Sequence, residues 1–454
     1  MNCYATTLFI FRRDLRIHDN SALNQAIDSS TRVLPCFIFD PRQINKHPYQ
    51  SRPALQFMLQ SLVELQREFQ AIGAELTLFQ ELPVEAVKRV FQQLHIQAVF
   101  VNRDYTPFSR VRDAELAQVC QDLSIDFHIV PDYLLVEPEQ AVKNNGDPYK
   151  VFTAFYNNAR QLPVALPRAL EQPNFVKIDE KSIIDVAVFT QVENGVNCYP
   201  GGRSQALSIL DGLDRQTAYQ VQRDYPELDA TSKLSAHLKF GTCSVREAYY
   251  AIVQQLGTEH PLLRQLYWRD FFTHIAFHYP HVFGKAFHSR YDNLAWDNDR
   301  DYFQRWADGN TGFPIVDAGM RELNATGFMH NRVRMIVASF LTKDLHISWR
   351  WGERYFAQHL VDYDPAVNNG NWQWAASTGC DAQPYFRIFN PWLQQQKFDP
   401  DCHYIYRWIP ELNGVSAKSI HNWHSKHSGA IYPAPMVDHA RESQMAKERY
   451  KNLA

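Results

Sequence analysis

The chain has 454 residues, 45% of them hydrophobic and 21% charged, with 46 basic against 49 acidic side chains and a net charge of -3. That length admits two domains and a large core, and the ordinary globular composition excludes a disordered or collagen-like chain. No run of about 18 apolar residues occurs, so no membrane-spanning helix is expected, and the overall charge gives no sign of nucleic-acid binding.

Charge is uneven on a finer scale. The first 200 residues carry 19 basic and 23 acidic side chains, and the remainder carry 27 and 26. Between residues 321 and 354, Arg321, Arg332, Arg334, Lys343, Arg350 and Arg354 stand against only Glu322, Asp344 and Glu353. Such a patch can draw phosphates, although a cluster of this size is more often a solvated helix face. The seven cysteines (3, 36, 120, 198, 243, 380 and 402) are scattered without CxxC spacing, so no metal site is expected. An odd cysteine count and an N-terminus without a basic leader fit a reducing, cytoplasmic setting.

In chain order, short apolar runs come first: Thr7–Phe11, Val33–Phe39, Leu76–Phe79, Ala98–Asn102 and Phe127–Val130. Helical patterns lie between them, as at Arg52–Gly73 and Val84–Leu94. This alternation predicts a parallel, Rossmann-like α/β domain over 1–130. No GxGxxG follows the first strand, so the dinucleotide fingerprint is absent. Phe11-Arg12-Arg13-Asp14-Leu15-Arg16 follows that strand instead, and a structural Arg–Asp network is favoured over a ligand site. Residues 131–198 are broken by Pro131, Pro138, Pro148, Pro163, Pro167 and Pro173 and read as a packed connector. From 199 to 454 the pattern is helical: Gly201–Gly212, Val245–Leu256, Leu262–His278, Tyr302–Ala307, Ile315–Leu323, Asn331–Leu345, Glu353–Val361 and Asp438–Tyr450.

The richest stretch is Asp362-Tyr-Asp364-Pro-Ala-Val-Asn368-Asn369-Gly-Asn-Trp372-Gln-Trp374, with two carboxylates, two adjacent amides and two tryptophans in 13 residues. Pro365 and Gly370 make it a loop leading into a short helix. It offers acceptors and amides to a ring rich in N–H and O groups, with flat apolar surface behind. The alternative is a surface turn with two core aromatics.

This stretch resembles the flavin-binding signature of the photolyase/cryptochrome family, in particular of bacterial class I cyclobutane-pyrimidine-dimer photolyases. The likeness continues through Thr326-Gly-Phe-Met-His-Asn331-Arg332-Val-Arg334-Met335, Pro384-Tyr-Phe-Arg387-Ile-Phe-Asn-Pro391 and Phe11–Arg16, and covers essentially the whole chain. It implies an antenna-chromophore domain at 1–130 and a helical FAD- and DNA-binding domain at 199–454. It also implies FAD bound non-covalently, damaged DNA as partner, a monomer, and a lyase that splits pyrimidine dimers with an electron from light-excited reduced FAD. Photolyases are themselves an example of enzymes that flip their target out of the stack.

Residue by residue, the resemblance assigns Tyr219 and the Thr231-Ser232-Lys233-Leu234-Ser235 loop to the cofactor, the loop at its phosphates. Read alone, that loop is simply N-capping. Arg334 and Asp362 match an ion pair beside the flavin, Asp362, Tyr363 and Asp364 its hydrogen-bonding edge, and Asn368 the residue facing N5. Trp372, Trp349 and Trp296 match a chain that carries an electron to photoexcited flavin. Trp306 and Trp351 are taken as structural. Trp268 and Trp374 match aromatic walls of the lesion pocket, and Asn331 and Met335 its floor. Arg223, Arg332, Arg387 and Gln394 match contacts to the DNA backbone, and Arg269 is grouped with these substrate and DNA residues.

Gln265 departs from the class I pattern, which has Glu there. An amide donates but supplies no proton, so reduced repair efficiency or another lesion preference is expected. Gln at this place resembles (6-4) photolyases and animal cryptochromes, but those carry His where this chain has Asn331 and Met335. A blue-light receptor without repair and a (6-4) lyase are therefore the alternatives. Asn368, Met335, the Trp268/Trp374 pair and the lack of a long C-terminal extension favour the dimer lyase. For the antenna, folate-binding relatives place Asn-Glu before Arg-x-Arg-Asp. Here Pro107-Phe108-Ser109-Arg110-Val111-Arg112-Asp113 lacks that pair. Folate is not matched, and a deazaflavin, another flavin or an empty pocket stay open.

Overall fold

The five apolar runs become one parallel sheet: β1 (Tyr4–Phe11), β2 (Ser30–Ile38), β3 (Thr77–Phe79), β4 (Ala98–Asn102) and β5 (Asp126–Val130), in the order β3-β2-β1-β4-β5. In register, Leu8 lies beside Leu34 on β2 and Val99 on β4. Burial on both faces explains runs that are apolar throughout rather than alternating. Leu8, Leu34, Val99 and Val101 are fully buried, with Ala86, Val87 and Leu116 packed in the same core. Helices Arg52–Ala71, Pro83–Leu94 and Pro107–Asp122 flank the sheet. Each has a proline in its first turn, where the missing N–H costs nothing.

The computed structural model describes residues 3–171, 174–178, 199–228, 230–381, 387–425 and 431–453. By contacts the chain forms two compact units. The first is Met1–Tyr149, Thr153–Asp214 and Ser232–His278, and the second is Lys150–Phe152, Arg215–Thr231 and Tyr279–Ala454. The helices Arg203–Asp211, Val245–Leu256 and Pro261–His278 therefore group with the sheet. Of the expected connector, a helix at Phe152–Ala159 and a parallel bridge from Val33 to Phe175 are seen, and 179–198 lies outside the described residues.

The Arg–Asp motif after β1 is the network that the sequence favours. Arg16 is buried against Asp132 at 2.6 Å, and Arg246 reaches Asp19 at 2.9 Å and Asp132 at 2.7 Å. Arg12 pairs with Asp113 at 2.7 Å. Burial alone would raise the Asp132 carboxyl, but the two guanidiniums outweigh it and hold the group well below the usual carboxylate range. These pairs tie the strand ends to the helix Val245–Leu256, whose start carries a Ser244–Glu247 capping box.

The second unit is helical around a core that includes Trp306, Trp349, Trp372, Phe340 and Met320. One expected helix is interrupted. Asn331–Ser339 is α-helical, but Phe340–Asp344 is a π turn, closed by Leu345 N–H donating to Phe340 O at 3.1 Å. Lys343 within it is buried and donates to Ala376 O at 3.0 Å and Ser377 Oγ at 3.1 Å. The helix expected at Glu353–Val361 runs from Trp349 to His359, because Ser348 caps it four residues earlier. No described helix is long and apolar enough to cross a membrane.

Candidate cofactor and substrate site

The signature stretch becomes the helix Pro365–Ala375. Asp364 caps it, accepting from Ala366 N at 3.0 Å and Val367 N at 3.1 Å, with Pro365 in the first turn. Just before it, Asp362 takes a two-pronged grip from Arg334, Nη1 to Oδ1 at 3.1 Å and Nη2 to Oδ2 at 3.0 Å. Arg334 Nε donates to Met329 O at 2.7 Å, so the guanidinium is fixed along two edges. The Asp362 side chain is only 5% exposed, and a carboxylate so enclosed needs this partner.

The adjacent amides divide their labour. Asn369 Nδ2 donates to Val282 O at 3.0 Å and Glu353 Oε1 at 3.1 Å, and its Oδ1 accepts from Gln373. Gln373, one turn on, donates to Val282 O and Lys285 O and accepts from Phe287 N. This pair is a structural ladder pinning the helix to residues 282–287. Asn368 makes one such bond, Nδ2 to Glu353 O at 3.0 Å. That bond orients the amide and leaves its carbonyl oxygen, an acceptor, for another group. Glu353 itself is buried, which pushes its carboxyl up, partly offset by Asn369.

Trp372 lies against the helix Trp349–His359 at Gly352. A Cβ there would meet Trp372 Cη2 at 2.1 Å and Cζ3 at 2.4 Å, so only glycine permits the approach. Trp349 lies three residues before Gly352 on the same helix face. Trp349 and Trp372 are buried in one core, and the half-buried Trp296 packs against it. Against Trp372 lie Phe356, edge-on at 4.9 Å between centroids, and Trp306 at 6.3 Å. Trp306, taken from sequence as structural, is thus an immediate neighbour of Trp372, and its Nε1 donates to Val337 O at 3.1 Å.

Of the residues that the sequence assigns to the pocket, Asn331 opens its helix in this unit and is exposed, with Met335 one turn later on the same face. Trp374 is half-buried, 6.4 Å from the Phe389 ring. Arg387 is exposed, Gln394 has a buried Oε1 without a partner among the described residues, and Tyr219 is buried beneath the Arg223 guanidinium at 5.5 Å. Residues Pro384–Phe386 of the matched motif lie outside the described residues. The basic stretch at 321–354 is not an open patch. Arg321 pairs with Glu411, Arg332 with Asp224, Arg334 with Asp362 and Arg350 with Asp292, while burial drives Lys343 well below the usual lysine value. Asp224 is absent from the sequence reading, and Glu353 enters it only as an acidic residue of the basic stretch and the start of an expected helix. Asp224 follows Arg223 directly, which is the one local hint.

The first unit holds the other expected residues. Gln265 and Trp268 sit on the helix Pro261–His278 and are half-buried, and Trp268 stacks on Phe272 at 5.5 Å. Arg269, which the resemblance groups with the substrate and DNA residues, donates to Tyr133 O at 2.7 Å and Leu238 O at 3.3 Å and covers the Tyr133 ring at 3.4 Å, so it braces this unit. The Ser232–Ser235 segment leads into a short helix at Ser235–Phe240 whose cap is Leu234, with no side-chain capping bond. The N-capping alternative for these hydroxyls therefore does not hold. Thr231 precedes them as the last residue of its segment in the second unit.

Residues 7–174 match the family described as DNA photolyase, and residues 262–452 match the FAD binding domain of DNA photolyase. A relative from Vibrio cholerae named deoxyribodipyrimidine photo-lyase is 38% identical over 97% of this chain and 98% of its own. The crystal structure of an archaeal photolyase from Sulfolobus tokodaii with two FAD molecules has a TM-score of 0.89 at 45% identity, covering 98% of this chain and all of that one. A cryptochrome from Synechocystis has a TM-score of 0.88 at 30% identity, covering 99% and 100%. The chain belongs to the photolyase/cryptochrome family, with an N-terminal α/β part and a C-terminal part that is the family's FAD-binding domain.

Proposed function

We propose that this protein is a light-driven lyase that repairs cyclobutane pyrimidine dimers in DNA. The observation that carries the reading is the set Arg334–Asp362, Asn368 and Trp372. It gathers a fixed carboxylate, an oriented amide acceptor and a redox-capable ring on and beside one capped helix. These residues fit a flavin edge. Asp362 would accept from a ring N–H, and Asn368, its Nδ2 already engaged by Glu353 O, would accept a hydrogen bond from N5–H through its carbonyl oxygen. Tyr219, Thr231 to Ser235, Tyr363 and Asp364 complete the proposed cofactor set. When bound, FAD supplies the light-absorbing electron donor. The chain's own part is to hold that ring, exclude water and place the lesion.

Trp268 and Trp374 are the proposed aromatic walls, and Asn331, Met335 and Gln265 the groups at the pyrimidine edges. Arg223, Arg332, Arg387 and Gln394 hold the backbone, where guanidiniums suit phosphate. Trp296, Trp349 and Trp372 relay electrons to the cofactor. We keep 1–130, 131–198 and 199–454 as the proposed functional division. The relative with two FAD molecules favours a second flavin among the antenna choices. The receptor reading draws on Gln265 and on the similarity to a cryptochrome. Oligonucleotides carrying either lesion, incubated in light and dark, separate the readings. Repair of the cyclobutane dimer alone supports the proposal, and repair of the (6-4) product alone replaces it. Neither, with FAD bound, favours the receptor.

A further inference from the structure

Asp224 was assigned no role by the sequence, yet it sits between two of the guanidiniums proposed to hold DNA. Its Oδ2 lies 2.8 Å from Arg332 Nη2, and its Oδ1 lies 3.9 Å from Arg223 Nε. Arg332 is stacked on Phe398, its guanidinium carbon 4.4 Å from the ring centroid, and its Nε is buried with no partner among the described residues. His330 ties the parts together. Its Nδ1 accepts from Arg332 N at 3.2 Å, and its ring also faces the Arg223 carbonyl. The Asp224 and Arg332 side chains are 31% and 16% exposed, so the pair is open to solvent on one side. The other pairs of the basic stretch each give one guanidinium its own carboxylate. Here one carboxylate is bound to the Arg332 guanidinium at 2.8 Å and lies 3.9 Å from that of Arg223, so it stands between two cations that a phosphodiester could also face, and one Arg332 N–H is left over among the described residues.

We propose that Asp224 is an internal counter-anion, a positioning residue that occupies the Arg223/Arg332 phosphate site in the free protein and competes with the DNA backbone for it. This rests on the reading of the protein as a DNA-binding lyase. A phosphate entering the site must share or displace the carboxylate, so Asp224 weakens backbone binding while keeping Arg332 in place over Phe398. Phosphate contacts carry no lesion information, so the effect falls equally on damaged and undamaged duplex.

The test is fluorescence anisotropy with a duplex carrying one thymine dimer and its undamaged counterpart, over a salt series, using the FAD-loaded protein. Asp224→Asn should tighten both duplexes about 3- to 10-fold at low salt, steepen the log–log salt slope by about 0.9, and leave their ratio unchanged. Arg332→Ala should weaken binding more in the Asp224→Asn background than in wild type, a coupling that a merely structural aspartate would not produce. Asp224→Glu should restore wild-type behaviour. Unchanged or weakened binding by Asp224→Asn, with an unaltered slope, overturns the inference and leaves the DNA-binding reading standing. Failure of wild-type protein to bind the dimer duplex overturns the reading and the inference with it.

Discussion

Replacing Gly352 by alanine tests the packing that places Trp372. The added methyl would lie 2.1 Å and 2.4 Å from two Trp372 ring carbons and 2.6 Å from Leu341 Cδ2. Ordinary carbon contacts begin near about 3.5 Å, so the indole must retreat by about 1 Å. It has nowhere to go without strain, because Phe356 and Trp306 close the other sides and Trp372 is only 2% exposed. Overpacking of a filled core costs about 1–3 kcal/mol. For a unit of this size that is a fall in Tm of roughly 3–10 °C. The same displacement changes the distance from Trp372 to its redox neighbours, so light-driven reduction of bound FAD should slow. Thermal melting followed by FAD fluorescence, and the bleaching of flavin absorbance under blue light with an external reductant, read the two effects separately. A variant with wild-type Tm and wild-type photoreduction would refute the claim that Gly352 sets the position of Trp372.

Arg334→Ala should leave Asp362 enclosed without its fork, lowering stability by about 3 kcal/mol and sharply reducing the FAD that co-purifies, measured from the flavin-to-protein absorbance ratio. Trp372→Phe should nearly abolish photoreduction while sparing repair by protein reduced chemically beforehand; equal loss of both would place Trp372 in the repair step instead. Asp132 is held low by Arg16 and Arg246, so its stabilisation is fully present above about pH 4 and is lost as pH falls through the lower folded value. Asp132→Asn should therefore be less stable at pH 7 by about 3–5 kcal/mol, with the gap narrowing below pH 4 in denaturant melts. A gap that stays constant with pH would deny the carboxylate's role.

Much of the fold was legible because it depends on local pattern. Ala98–Asn102 and Val245–Leu256 have the predicted bounds, and the other strands differ by a few residues at their ends, where pattern is weakest. The loop-to-helix reading of Asp362–Trp374 held because Asp364-Pro365 is a strong start signal. What was not legible depends on distant partners. Nothing near Arg269 in sequence announces the carbonyls of Tyr133 and Leu238 that engage it. Asn368 and Asn369 look equivalent in one dimension, and only the positions of Val282 and Glu353 set them apart. The π turn at Phe340–Asp344 serves a buried lysine whose acceptors lie over thirty residues away. The basic stretch looked open because its carboxylate partners, Asp224, Asp292, Asp362 and Glu411, lie outside it.

The measurement that bears most directly on the central claim is the splitting of a single thymine dimer by the reduced, FAD-loaded protein under blue or near-UV light, followed by recovery of thymine absorbance, with Gln265→Glu beside wild type. The account predicts light-dependent recovery by wild type, none in the dark, and a higher yield from the Gln265→Glu variant, whose carboxyl can supply what the amide cannot. Absence of recovery from protein that binds FAD and photoreduces it would contradict the claim of dimer repair.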